Sequence, residues 1–130
     1  MTDTPASYIF IFIDNCNPTS RFDIGLLNAI LASKPNNVEI NVTIYVPTQP
    51  PTHEIQEAKL HIISEEQVHM QLCVDAAAAA VVDFYRRDRK GRTKFIIVPG
   101  DYSIHCLTEM IQKRGFSIQV LTSKDVISLV

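Results

Sequence analysis

The feature that most constrains this chain is an apolar run, Tyr8 to Ile13, that stops at a carboxylate, Asp14. A strand with no polar alternation must be covered on both faces, which is the situation of a parallel sheet flanked by helices. A second run, Phe95 to Val98, stops at Pro99-Gly100-Asp101. Open α/β sheets bind their ligands beyond the carboxyl ends of the strands, so an acid closing each of two central strands points to a site at that edge.

The remaining pattern fits the same architecture. Phe22, Ile24, Leu26, Leu27, Ile30 and Leu31 recur at helical spacing until Ser33-Lys34-Pro35-Asn36-Asn37 interrupts them. Val38 to Val46 alternates as a strand, and Pro47-Thr-Gln-Pro-Pro51 stops it in an exposed loop. A short helix over 54–59 and a short strand over 60–64 follow. The segment Val74 to Arg87 contains the consecutive alanines Ala76 to Ala80 and predicts a helix, because alanine loses no side-chain entropy there. The alanines also allow close approach to a sheet. A helix over Ser103 to Lys113 ends in Arg114-Gly115, with glycine suited to the left-handed position after a helix. A strand over Phe116 to Leu121 and a short helix from Lys124 complete the order β-α-β-α-β-α-β-α-β. That order predicts a three-layer α/β domain, residues 1–130 forming a single unit around a mostly parallel five-stranded sheet.

Composition excludes more than it assigns. With 46% hydrophobic and 20% charged residues and a net charge of -2, the chain is of ordinary globular type. Cys16, Cys73 and Cys106 are odd in number and widely separated, as expected of reduced thiols in an intracellular protein, cytoplasmic or nuclear, without structural zinc. No apolar stretch approaches the roughly 20 residues of a membrane helix, and the start of the chain lacks signal-peptide character. No GxGxxG or GxxxxGKS phosphate loop is present. His53, His61, His69 and His105 show no metal-ligand spacing and receive no role.

The chemistry therefore rests on carboxylates. If the first and fourth strands are neighbours, Asp14 and Asp101 lie side by side where the strand order reverses, and Asp75 can join them from the alanine helix. Neighbouring carboxylates repel unless a cation or proton separates them, so such a cluster suits Mg²⁺ or Mn²⁺, which can orient a water for attack and screen a phosphate. Each residue also has a plainer reading. Asp101 follows a Pro-Gly turn and precedes a helix, Asp75 can cap its helix, and Asn17 belongs to an Asn-Pro turn. Asp14 has no evident structural duty. Asp83 reads as a solvated helix residue.

Together, Phe12-Ile13-Asp14-Asn15-Cys16-Asn17, Val74-Asp75 opening a helix, and Ile97 to Ile104 followed by Leu107 and Arg114-Gly115-Phe116 resemble the NYN domains of the PIN-like ribonuclease family. The resemblance spans almost the whole chain. It implies a PIN-like, Rossmann-like fold and metal-dependent hydrolysis of RNA. Asp14, Asp75 and Asp101 would be the metal-binding catalytic acids, and Asn17 the companion amide at the substrate. The chain departs from the pattern at Ser103, where many members carry a second acid, at Pro99 in place of serine, and before Asp75, where the usual lysine is missing. Ser103 can hydrogen-bond a metal-bound water but adds no charge, so the alternative is an NYN-like module that binds RNA or protein with weakened or lost chemistry.

One further segment fits RNA. Arg86, Arg87, Arg89, Lys90, Arg92 and Lys94 place six cations against one anion within nine residues. Such clusters follow a phosphate backbone through charge and counterion release. The plain alternative is a solvated loop that ends the preceding helix favourably. The segment joins a helix to the amino end of a strand, opposite the acid cluster. A strand edge or helix face leaves a homodimer possible.

Overall fold

A computed structural model describes residues 5–16, 32, 36–48, 58–86, 89, 91–100 and 102–121. Strands β1 (Ser7–Asp14), β2 (Val38–Val46), β3 (Ala58–Ile62), β4 (Thr93–Val98) and β5 (Ser117–Val120) form one sheet in the order β3-β2-β1-β4-β5. Every pairing in it is parallel. Helix α1 (Val68–Phe84) carries the chain from β3 across to β4, and α2 (His105–Lys113) joins β4 to β5. The expected α/β architecture is present, and the fourth strand does lie beside the first.

The apolar character of β1 follows from burial on both sides. Ile11 and Ile13 pack with Val42, Ile44, Ile96 and Val98 on one face. Phe12 packs with Tyr45, Phe95 and Ile97 on the other, where both described helices lie through Leu72, Ala76, Leu107 and Ile111. The one-residue alternation of a strand makes this division, since adjacent side chains point to opposite faces. Burying a side chain such as Leu72 contributes about 1.5–3 kcal/mol, so the helix is held mainly by its inner stripe rather than by capping.

Helix α1 starts earlier than the alanine run suggests. Val68, Leu72, Ala76 and Ala80 recur every fourth residue and are buried, while Gln67 at the helix start makes no side-chain capping bond. Asp75 therefore sits inside the helix, which removes its reading as a cap. Ala76 and Ala80 are fully buried, and their small side chains bring the helix close to the sheet. Asp83 is not a solvated residue: it is buried and paired to Arg89 at 3.2 Å. The same arginine lies 3.9 Å over the Tyr8 ring and 3.5 Å from Glu39, so it ties the end of α1 to β1 and β2.

Other boundaries move by one or two residues. Strand β3 occupies 58–62 rather than 60–64, and the last two positions of the helix expected over 54–59 belong to it. Gly115 takes φ 87° directly after α2, as its place in Arg114-Gly115 implies. The helix expected over 22–31, the rest of 54–59 and the helix expected from Lys124 lie outside the described residues.

Candidate functional site

The strand order reverses between β1 and β4, and Asp14 stands at the carboxyl end of β1 at that point. Asp14 is only 6% exposed, so both carboxylate oxygens need partners. Oδ1 accepts the Cys16 backbone N–H at 2.9 Å, closing a local turn, and Oδ2 accepts the Tyr102 hydroxyl at 2.7 Å. Asp14 thus has a structural duty that its place in the sequence does not reveal. Pairing of β1 with β4 ends at Ile13 and Val98, and the chain beyond β4 turns over Asp14. A Cβ on Gly100 would lie 2.7 Å from Asp14 Oδ2, so glycine is required by the closeness of the carboxylate.

Asp75 lies inside α1, over the sheet beside β1 and β2. Tyr45, which pairs with Asp14 in the β1–β2 register, donates its hydroxyl to Asp75 Oδ2 at 2.7 Å. Gln71, one helical turn earlier, donates its amide to Oδ1 at 2.8 Å. His61 Nδ1 stands 3.9 Å from Oδ2, and its ring meets the Tyr45 ring edge-on. His69 stacks on Tyr102 with ring centroids 4.1 Å apart.

Two acids are therefore each held by a tyrosine. Burial pushes the Tyr45 hydroxyl far above the ordinary tyrosine range, and the bond to Asp75 adds to this, with Tyr102 acting in the same sense. Tyr102 is raised by burial and then by its bond to Asp14. Both hydroxyls are held as protonated donors above the pH at which an ordinary tyrosine ionises. Burial likewise raises the nearby Cys73 thiol, with Cys106 adding to the shift, which makes it a poor nucleophile.

A groove of about 480 Å³ opens beside Asp75, where α1 leaves part of the sheet uncovered. Asn41, Thr43, Lys59 and His61 supply its polar wall and Phe12 part of its apolar floor. Neither Lys59 nor His61 was singled out by the sequence, because only the β2–β3 register places them beside Thr43 and Tyr45.

The other expected site residues divide. Asn17, Asp101, Arg87 and Lys90 lie outside the described residues, although Gly100 and Tyr102 on either side of Asp101 both meet Asp14. Ser103 is exposed, and its hydroxyl accepts the His105 N–H at 3.3 Å at the start of α2. Arg86 and Arg92 are exposed at the amino edge of the sheet, away from Asp14, where the Arg92 carbonyl accepts the Tyr8 N–H. Arg89 is largely buried in its ion pairs. Among the described residues no three His, Cys, Asp or Glu side chains form a cluster able to hold a metal ion. No known family model, characterised protein or solved structure matches the chain.

Proposed function

We propose that the protein is a metal-dependent ribonuclease whose centre lies at the carboxyl edge between β1, β4 and α1. The observation that carries this reading is the buried carboxylate of Asp14 at the strand-order reversal; Asp75 supplies a second, partly buried carboxylate on the facing helix, beside the groove. Carboxylate oxygens are the hard donors that Mg²⁺ and Mn²⁺ prefer, and each oxygen keeps a lone pair beyond the hydrogen bond it accepts. Asp14 and Asp75, joined by Asp101 on the family resemblance, would hold the ion. When bound it would supply charge neutralisation at a phosphodiester and lower the pKa of a water.

The chain's own residues act around that chemistry. Tyr102 and Tyr45 fix the two carboxylates by neutral hydrogen bonds that persist through the physiological pH range. Lys59 and His61 line the groove that leads away from Asp75 and can pair with phosphate oxygens of an extended strand. Arg86 and Arg92 supply a second cationic region at the opposite edge.

The second reading, an RNA- or protein-binding module of the same fold, is favoured by a specific observation. Both oxygens of Asp14 and both of Asp75 already accept hydrogen bonds, and Ser103 stands where an acid would add charge. Cleavage of a labelled unstructured RNA in Mn²⁺, Mg²⁺ or EDTA, beside an Asp14→Asn/Asp101→Asn double variant, separates the two. Metal-dependent cleavage absent from the variant supports the nuclease; RNA binding indifferent to metal, with no cleavage, supports the module.

A further inference from the structure

Helix α1 carries an apolar face that no described element covers. Its inner stripe, Val68, Leu72, Ala76 and Ala80, is buried against the sheet. Yet Met70, Val74, Val81, Val82, Phe84 and the following Tyr85 are between 40% and 77% exposed, and they make up six of the eight large apolar side chains exposed among the described residues. Between Val68 and Phe84 the only charged residues are Asp75 and Asp83. Asp75 is bound by Tyr45 and Gln71 beside the groove and Asp83 is buried against Arg89, so neither belongs to the exposed apolar set, which extends along about 25 Å of helix. A helix that is apolar all round belongs in an interior, and contiguous exposed patches of this kind mark association surfaces.

The spacing says what shape fits there. Met70, Val74, Ala77, Val81 and Phe84 follow one another at alternating intervals of four and three, the 3.5-residue repeat of helices that pack side by side at a shallow angle. The stripe is also nearly symmetric about Ala77-Ala78. Turned end for end, Val74 meets Val81, Met70 meets Tyr85, and the two alanines allow close approach at the centre. Charge selects the same orientation. Exposed Glu65 and Glu66 precede α1 and exposed Arg86 follows it, so antiparallel pairing brings the acidic start of one helix to the basic end of the other and opposes the helix dipoles.

We infer that α1 forms a two-fold symmetric interface with α1 of a second copy of this chain, the helices antiparallel and crossing at Ala77-Ala78. A face that is self-complementary in shape and charge is what an isologous dimer requires. Ala78 also lines the groove, so the interface covers that rim, while Lys59 and His61 line it from the β3 side.

Sedimentation of the full chain over a range of concentrations tests this. The expected result is a reversible dimer of about twice the 14.6 kDa chain mass, converted to monomer by Val81→Glu with an unchanged circular dichroism spectrum and thermal midpoint. In a background with Cys73→Ala and Cys106→Ser, Ala78→Cys forms a disulfide between copies under mild oxidation, whereas Met70→Cys does not. A wild-type chain that stays monomeric at every concentration, whether or not it captures some other protein, overturns the proposal. So does a dimer that survives Val81→Glu, and crosslinking through Met70→Cys overturns the antiparallel arrangement. RNA cleavage is not among the readouts, so the outcome is independent of the proposed nuclease activity.

Discussion

The Tyr102 hydroxyl donates a 2.7 Å hydrogen bond to Asp14 Oδ2 across 88 residues of chain, joining the segment after β4 to the end of β1. Replacing the tyrosine by phenylalanine keeps the ring against His69 but leaves a buried carboxylate oxygen without its donor. We expect Tyr102→Phe to lower stability by about 1–3 kcal/mol in urea denaturation, the cost of an unmet bond to a charged group. In the nuclease reading the same variant lowers cleavage by loosening Asp14, and rate and stability are measured on one preparation.

The two raised tyrosines also set the alkaline response. Tyr45 and Tyr102 keep their protons in the folded chain, while in the unfolded chain they ionise near the ordinary value of 10.0. Below that pH both states are protonated and the stabilisation is complete. As pH rises above 10.0 the unfolded state alone loses protons, so stability falls toward the raised folded values. Thermal midpoints followed from about pH 8 to about pH 11, roughly one unit past the ordinary tyrosine pKa, should therefore decline more steeply for wild type than for Tyr45→Phe/Tyr102→Phe. Equal slopes would remove these tyrosines as the cause.

At Gly100 an added methyl has no room. Its Cβ would stand 2.7 Å from Asp14 Oδ2 and 3.0 Å from the Tyr102 ring, so it displaces one or both partners of the bond between them. Gly100→Ala should destabilise the fold by about 1–3 kcal/mol, as overpacking does. Combined with Tyr102→Phe it should cost less than the sum of the two single changes, because both act on one contact. A double-mutant cycle in chemical denaturation measures this.

Asp75 offers a separation of scaffold from chemistry. Asp75→Ala strands the buried Tyr45 hydroxyl and should cost about 1–3 kcal/mol. Asp75→Asn keeps an acceptor for Tyr45 and should cost less, yet it removes the charge a divalent ion needs. If the proposed function holds, Asp75→Asn is the better-folded of the two and still fails to cleave RNA; full cleavage by Asp75→Asn would exclude the carboxylate as a ligand.

Arg89 and Arg86, neighbours in the basic segment, should behave in opposite ways. Arg89→Ala leaves Asp83 buried without its partner, with a predicted loss of about 3–5 kcal/mol by denaturation. Arg86→Ala, on an exposed side chain, should leave stability within about 0.5 kcal/mol. If the segment binds RNA, Arg86→Ala weakens binding and flattens its salt dependence, read in a fluorescence titration.

The class of fold was legible along the chain. The unbroken apolar character of β1 and β4, the alternation of β2 and the alanines of α1 are local signals, and they carry their meaning wherever the chain goes. The sequence also singled out Asp14 and Asp75 as candidates, because an acid at the end of an apolar run and an acid before five alanines stand out in one dimension. What those acids touch depends on how the elements pack. Tyr45 reaches Asp75 because β2 pairs with β1 in a particular register, and Tyr102 reaches Asp14 because β4 lies beside β1. The i, i+4 pair of Gln71 and Asp75 becomes legible only once α1 is known to begin at Val68. Asp83 and Arg89 look like solvated charges along the chain and prove to be a buried pair, because burial and partnership are properties of three-dimensional neighbours. A sequence displays the periodicity that drives secondary structure, whereas hydrogen bonds between distant side chains depend on how the elements pack, and no local pattern encodes that.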